Sequence, residues 1–318
     1  MRLRIRVPPA GTSLPRLIRR LVSGTLALGL FALIAGGVRI HSFATERPLP
    51  PPVAPAPGVM ESLIDTTPVL IRTTVLWQKV PMTVTTHALL HDRTIWRRMH
   101  FDDWDAVPQP LREEGMRAMV ASHADVLSGP DRWRAMSVFD WDAVPQPVRA
   151  IAYLRMVWHW AEVERAGEEF GLRPRDLAPS IAAIVMAESW FEHRAVNENP
   201  WGNRDLGLAQ CSDHCRQTLL EMAAAGEVPF AIEEEQYFDP WYATRVATVW
   251  FLRELRRTEG DVDRAIRAYH RGLANADDPK GEAYLAGVVD KRTRYVLNTG
   301  ARSEAWRYLV DQVWQQTP

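Results

Sequence analysis

The sequence predicts an almost entirely α-helical protein with a membrane segment at its N-terminus. From about Thr86 to the end of the chain, apolar residues recur with the helical period of about 3.6 residues. Capping residues mark helix starts along the same stretch: Asp239 stands before Pro240, Asp261 is expected to cap the next helix, and Ser303 the last one. Between residues 63 and 84 β-branched residues are frequent, but Pro81 and the lack of strict alternation predict a poorly defined connector there.

The composition is that of a globular protein. The chain has 318 residues, of which 47% are hydrophobic and 24% charged, enough for one large or two modest cores. Its 38 basic and 39 acidic residues nearly cancel, so the charge balance predicts no nucleic-acid partner. The 13 tryptophans are expected mainly in the core, although indole rings also stack on sugars in carbohydrate-active proteins.

The first sixty residues predict export. Residues 1–20 form an arginine-rich tail that should stay in the cytoplasm, and residues 21–38 form an uncharged apolar stretch about long enough to cross a bilayer. Prolines crowd into residues 45–60, which predicts an extended linker. The rest of the chain is therefore expected in the periplasm or an equivalent compartment.

The apolar stretch has two interpretations. It is either an uncleaved anchor in the inner membrane or the core of a signal peptide that is removed. Arg39 and His41 follow it, where a cleavage region would be neutral, and this favours the anchor.

A seven-residue segment, WDAVPQP, occurs twice, at residues 104–110 and 141–147. Each copy precedes a predicted helix, and the aspartate and the prolines are residue types that start helices. A duplicated helix start is favoured over a ligand-binding role, and two copies are too few for a solenoid. We assign residues 61–172 to a helical accessory region and residues 173–318 to a catalytic domain.

Glu188 is the candidate catalytic residue. In a helix predicted over residues 177–191, Ile181, Ile184 and Val185 form one apolar face, and Glu188 is the next position on that face. Loss of hydration and the negative end of the helix dipole both favour the uncharged carboxyl group, which a general acid needs at neutral pH. From this helix alone, a solvated Glu188 at the rim is an equal alternative.

Three ordered segments decide between these alternatives: ESWF at 188–191, GLAQ at 207–210 and AYHRG at 268–272. They resemble the signature segments of the soluble lytic transglycosylase family, and the loop between the first two resembles that of the specialised members found with secretion and conjugation machines. The sequence FDP at 238–240 matches a helix start of the same family. The resemblance covers about residues 176 to 300 and implies a lysozyme-like, all-α catalytic domain.

The resemblance also implies a reaction and a set of roles. Glu188 would act as the single general acid and base that cleaves the bond between N-acetylmuramic acid and N-acetylglucosamine, giving a 1,6-anhydro product. Ser189 would orient the substrate or the acid, Gln210 would bind sugar, and Tyr269 would place its hydroxyl near Glu188. The residues assigned to substrate binding are Ser189, Gly207, Leu208, Gln210, Tyr269 and His270.

The sequence departs from the family at two points, with Ala209 in place of methionine and His270-Arg271 in place of an asparagine and its neighbour. The basic pair is interpreted as a solvated helix end, with contact to carboxylates of the peptidoglycan stem peptide as the alternative.

Cys211 and Cys215 follow the second segment. In an oxidising compartment a disulfide is favoured over free thiols, and a metal site that includes His214 is the least favoured alternative, because the spacing matches no standard zinc pattern. We expect no metal and no cofactor.

The expected partners are peptidoglycan glycan strands, the inner membrane and the machinery of the cell envelope. Two rival functions stay open. A muramidase would hydrolyse the same bond with water, and a catalytically silent protein would bind the wall or assist assembly.

Overall fold

The computed structural model describes residues 68–75, 78–198, 202–230, 233–297 and 303–314. Outside them lie the predicted basic tail, membrane segment and proline-rich linker, residues 1–20, 21–38 and 45–60. In the described part of the chain, no helix has the length and apolar character needed to span a membrane.

Most of the described chain is helical, as predicted. The α-helices of these residues are α1 (Thr86–His91), α2 (Arg93–Trp96), α3 (Leu111–Ser122), α4 (Pro130–Ala135), α5 (Val138–Ala143), α6 (Gln146–Val163), α7 (Pro174–Ser189), α8 (Asp213–Ala224), α9 (Pro240–Arg257), α10 (Val262–Arg271), α11 (Pro279–Lys291) and α12 (Glu304–Trp314). Shorter 3-10 segments are Phe101–Ala106, Ala124–Leu127, Glu168–Phe170, Glu234–Phe238 and Leu273–Asn275, and a π-helical turn is Arg292–Val296.

The predicted connector before α1 is instead a β-hairpin. Strand β1 (Pro68–Val75) pairs antiparallel with β2 (Gln78–Thr85) along their whole length. Pro81 lies opposite Arg72 in this ladder. A two-stranded sheet has only edge strands, where a proline can leave its missing N–H on the outer side. The prediction was wrong because Pro81 was taken as evidence against any strand.

A second hairpin interrupts the helices after α7. Strands β3 (Val196–Glu198) and β4 (Arg204–Leu206) pair antiparallel, with Asn197 opposite Asp205. The sequence indicated only a loop here, because three-residue strands are too short to show alternation.

Helix α7 lies at the centre of the catalytic part. It packs against α6, α9 and α11. Every residue from Leu177 to Met186 is buried, so the helix is enclosed on all sides rather than along one stripe. It ends where Trp190 adopts a left-handed conformation with a φ of 51° and donates its N–H to the carbonyl of Met186.

The predicted caps of three helices are confirmed. Asp239 accepts a hydrogen bond from the N–H of Trp241 at the start of α9. Asp261 caps α10 in the same way, and Ser303 accepts from the N–H of Trp306 at the start of α12. These caps depend on neighbours within a few residues, which is why the sequence reveals them.

Each WDAVPQP copy does lead into a helix, since α3 begins at Leu111, just after the first copy, and α6 begins at Gln146, within the second. The capping role of the two aspartates is wrong, however. Asp105 accepts a hydrogen bond from the N–H of Ala305 on α12, and Asp142 binds His193 and Arg194 after α7. The duplicated segments therefore fasten the accessory region to the catalytic part.

The described residues form one compact unit. Helix α6 of the predicted accessory region packs against α7 and α9, and α12 packs against α3. The boundary between residues 172 and 173 stays a prediction.

Candidate active site

Glu188 lies in the wall of a cavity of about 490 Å³. It is the penultimate residue of α7, so the buried core helix carries it to the cavity. Its side chain is 14% exposed. The carboxyl group has therefore lost most of its hydration and still faces a space that a ligand can enter, which does not fit the alternative of a solvated Glu188 at the rim.

The hydroxyl of Tyr284 donates a 2.6 Å hydrogen bond to Oε1 of Glu188. Burial, followed by the charge of Glu188, raises the pKa of Tyr284 well above its ordinary value, so the hydroxyl keeps its proton. Tyr284 was not among the site residues predicted from the sequence. Its spacing was the available signal, because Tyr284 shares a face of α11 with the buried positions Gly281 and Val288.

His270 lies beside the same carboxylate. Its Nδ1 is 3.7 Å from Oε1 of Glu188, and its ring stacks on Tyr284 with centroids 4.3 Å apart. His270 also lines the cavity, where a ligand can reach it. A protonated imidazole at this position would stabilise the carboxylate electrostatically.

The hydroxyl of Tyr269 does not bind Glu188. It donates a 2.9 Å hydrogen bond to the carbonyl of Ala209 and so ties α10 to the loop 207–210. Burial raises the pKa of Tyr269, and the charge of Glu188 adds to this effect. The hydroxyl that binds Glu188 is thus that of Tyr284, while Tyr269 interacts with the charge of Glu188 without a hydrogen bond to it.

Loop 207–210 is shaped by a glycine turn and by hydrogen bonds from the side chain of Gln210. Gly207 has a φ of 67°, and a Cβ atom there would stand 1.8 Å from the carbonyl oxygen of Tyr237, so only glycine fits. Nε2 of Gln210 donates to the carbonyls of Gly207 and Ala195, at 2.9 and 3.3 Å. Gln210 lines the cavity, but its amide nitrogen is used within the protein.

Two further predicted contacts lie behind the cavity wall. Ser189 is buried and its hydroxyl donates to the carbonyl of Val185, one turn back in α7. Leu208 is fully buried in the core. These side chains shape the site and are not among the residues that line it.

Comparison with protein-family models finds a match to the transglycosylase SLT domain over residues 168–287. Residues 168–287 belong to the transglycosylase SLT domain family. No curated protein and no solved structure was found to match the chain. The matched residues contain Tyr284 and all of the residues that line the cavity, Glu188 among them.

A second carboxylate enters the cavity of the SLT domain from the hairpin of β3 and β4. Asp205 accepts a 3.0 Å hydrogen bond from Nδ2 of Asn197 on the paired strand. Burial raises the pKa of Asp205 and the charge of Glu188 adds to the rise, while the bond from Asn197 opposes it. The two carboxyl groups therefore interact electrostatically.

Cys211 and Cys215 are joined by a disulfide that also lines the cavity. Cys211 precedes α8 rather than lying in it, and its backbone pairs with Leu206 of β4. The disulfide thus links this hairpin to α8 beside the site. Within the described ranges, no three His, Cys, Asp or Glu side chains are grouped so as to hold a metal ion.

Helix α9 forms another wall of the cavity of the SLT domain. We call Arg253, Glu254 and Arg257 the basic end of the cavity. Glu254 is fully buried and accepts hydrogen bonds from Arg253 and, at 3.0 and 3.1 Å, from Arg257. The guanidinium group of Arg253 also lies 4.6 Å from the centre of the Trp250 ring.

Proposed function

We propose that this protein is a lytic transglycosylase that cleaves peptidoglycan between N-acetylmuramic acid and N-acetylglucosamine, with Glu188 as its single acid and base. At the level of the family, the SLT domain indicates a peptidoglycan-degrading function of this type. The observation that carries the proposal is the Glu188 carboxyl group, largely buried in the cavity wall and bound by Tyr284.

In the first step, Glu188 gives its proton to the glycosidic oxygen while the bond from that oxygen to C1 of the muramic acid breaks. The N-acetyl group of the substrate can stabilise the positive charge that develops at C1. In the second step, the 6-hydroxyl oxygen bonds to C1 and its proton passes to Glu188. The acid is regenerated, water is not consumed and the product is a 1,6-anhydro sugar.

The contacts of Glu188 suit both steps. The carboxyl group lines the cavity, where it can reach the glycosidic oxygen of a bound strand in the first step. The Tyr284 hydroxyl can donate to the carboxylate formed after the first proton transfer and fix its direction. Nδ1 of His270 lies 3.7 Å from the same carboxylate oxygen.

The test is digestion of purified sacculi by the full chain and by Glu188→Gln. Glutamine keeps the size of the side chain and cannot donate the proton, so we expect a loss of at least about a hundredfold in released muropeptides. Mass spectrometry of the products should show the anhydro form from the wild type alone. Equal release by both proteins would overturn the role of Glu188.

Hydrolysis by a muramidase mechanism is a second candidate, favoured by one observation. Asp205 shares the cavity with Glu188, and most glycosidases use two carboxylates. A hydrolytic product would be one water heavier than the anhydro form. Substituting Asp205→Asn should then abolish hydrolysis, whereas a transglycosylase should retain turnover because the 6-hydroxyl group of the substrate replaces water.

We also propose that the protein acts in the periplasm, held to the inner membrane by its N-terminal segment. The arginine-rich tail before the apolar residues 21–38 supports this orientation. Protease added to spheroplasts should degrade a tag placed at the C-terminus, and protection of the tag would contradict the proposal.

A further inference from the structure

The basic end of the cavity carries an excess positive charge. Arg253 and Arg257 both bind the one carboxylate of Glu254, so two guanidinium groups face a single negative charge. Arg271, which also lines the cavity, is paired with Asp278. Among the described cavity-lining residues, the surplus charge therefore lies on α9 and not at the basic pair His270-Arg271.

The guanidinium groups of the basic end are held in place and are also accessible to a ligand. Arg253 and Glu254 lie three and four residues after Trp250 and four and three residues before Arg257, so these side chains form one stripe of α9. All of them line the cavity that contains Glu188. Glu254 is fully buried and holds both guanidinium groups in place, yet 40% of the Arg257 side chain is exposed. A fixed guanidinium group loses little conformational entropy when an anion binds.

The other carboxylates that line the cavity, Glu188 and Asp205, belong to α7 and β4 rather than to α9. A ligand that spans the cavity should thus be neutral where it meets Glu188 and negative where it meets Arg253 and Arg257. A carboxylate suits the planar, forked donors of arginine. In a glycan strand of the cell wall, the glucosamine units are neutral, and carboxylates are carried by the lactyl branch of muramic acid or by the stem peptide attached to it.

We infer that the basic end binds a carboxylate borne by the lactyl branch of muramic acid, and that this contact makes the cavity select peptidoglycan over neutral glycans. The inference rests on the proposed function, since it concerns the substrate of the same site. The carboxylate has two sources, the stem peptide or the free lactyl group of a strand from which the peptide has been removed.

The experiment measures binding to the full-length Glu188→Gln protein, which should not cleave its ligand. Three glycans of equal length serve as probes: a peptide-bearing strand, a strand stripped by an amidase, and an oligomer of N-acetylglucosamine. We expect a carboxylate-bearing strand to bind more tightly than the neutral oligomer. Adding Arg257→Gln should lower this preference about fivefold to tenfold, because one partly exposed ionic contact is lost.

Arg256→Gln is the matched control. Arg256 neighbours Arg257 on the same helix, pairs with Glu169 on the surface and is not among the residues lining the cavity. Its removal changes the net charge by the same amount and should leave the preference intact. A preference that is unchanged by Arg257→Gln, or reduced equally by Arg256→Gln, would overturn the inference.

Binding of the neutral oligomer guards against misfolding. Arg257→Gln should leave it unchanged, because a neutral glycan offers no carboxylate to Arg257, and equal weakening of all three probes would contradict the inference. If Arg257→Gln weakens only the peptide-bearing strand, the stem peptide supplies the carboxylate; if it weakens only the stripped strand, the lactyl group does.

The proposed function is tested by a separate measurement, the release of muropeptides. Wild-type protein that releases no muropeptides from sacculi would refute the cleavage reaction, whether or not Arg257 discriminates between the three probes. Conversely, cleavage of sacculi together with equal binding of charged and neutral glycans would refute the inference alone.

Discussion

At the scale of the residue, the acid depends on a partner that lies 96 positions away in the sequence. Tyr284 donates to Glu188 and stacks on His270, so one aromatic ring orders both side chains. Tyr269, which lies within the AYHRG segment, holds the neighbouring loop through Ala209 instead. Tyr284 thus orients the acid, and Tyr269 holds the loop beside it.

Tyr284→Phe tests this division. The ring and its stacking on His270 stay, but the hydrogen bond to Glu188 is lost, and a bond to a charged group contributes about 1.5–3 kcal/mol. We expect the turnover rate on sacculi to fall about tenfold to a hundredfold, with a changed pH–rate profile. Tyr242→Phe, at a tyrosine that does not line the cavity, is the control. A normal rate and pH profile for Tyr284→Phe would show that the contact has no role in the reaction.

At the scale of the element, α9 combines a scaffold and a binding surface. Its N-terminus is capped by Asp239, which is partly buried, and its last turns form the basic end. Burial raises the pKa of Asp239 to about 6, while hydrogen bonds from the N–H groups of Trp241 and Tyr242 oppose the rise. The folded protein therefore favours the protonated form of this cap.

A raised pKa in the folded state gives a pH-dependent stability. The contribution of Asp239 is fully present below its ordinary pKa of 3.8 and is lost as the pH rises through about 6. Asp239→Asn keeps the cap without the charge, so it should match the wild type near pH 4 and exceed it near pH 8 by up to about 3 kcal/mol. Unfolding in denaturant at both pH values measures this.

Asp239→Ser is the companion variant, since serine also caps helices and is neutral. Both substitutions should show the same change with pH relative to the wild type. If the wild type is as stable as Asp239→Asn at pH 8, the burial of the charged carboxylate has no cost.

At the scale of the whole molecule, the accessory region is fastened to the SLT domain next to the catalytic helix. Asp142 binds Nε2 of His193 at 2.9 Å and both ends of the Arg194 guanidinium group. Burial lowers the pKa of His193 to about 3, so this ring is neutral under ordinary conditions. Burial opposes ionisation of Asp142, but Arg194 and His193 outweigh it and lower the pKa of Asp142.

Asp142→Ala should loosen this attachment. It leaves the fully buried His193 and the guanidinium group of Arg194 without their acceptor, and an unsatisfied buried group costs about 1–3 kcal/mol. We expect a loss of about 2 kcal/mol in the free energy of unfolding, measured in denaturant. Asp131→Ala, at an exposed position of α4, should change it by less than about 0.5 kcal/mol. Equal stability of the two variants would show that the attachment contributes nothing.

Local patterns were sufficient for most of the fold. Three features depend on residues within a few positions of each other: the helix periods, the caps Asp239, Asp261 and Ser303, and the position of Glu188 at the end of α7. The hairpin of β1 and β2 was missed because a proline is tolerated at a sheet edge, and local patterning cannot tell an edge strand from a loop. The role of each WDAVPQP aspartate was misjudged because its partner lies far along the chain.

The sequence by itself determined the helical class, the order of the three signature segments and the identity of Glu188 as the candidate acid. Only the tertiary structure decided which side chains meet that acid, why Ser189 and Leu208 lie behind the wall, and where the cavity is positive. The reason is physical. Periods and caps arise between neighbours on one helix, whereas a cavity and its charges arise where separate helices pack, and a single helix does not specify what it will face.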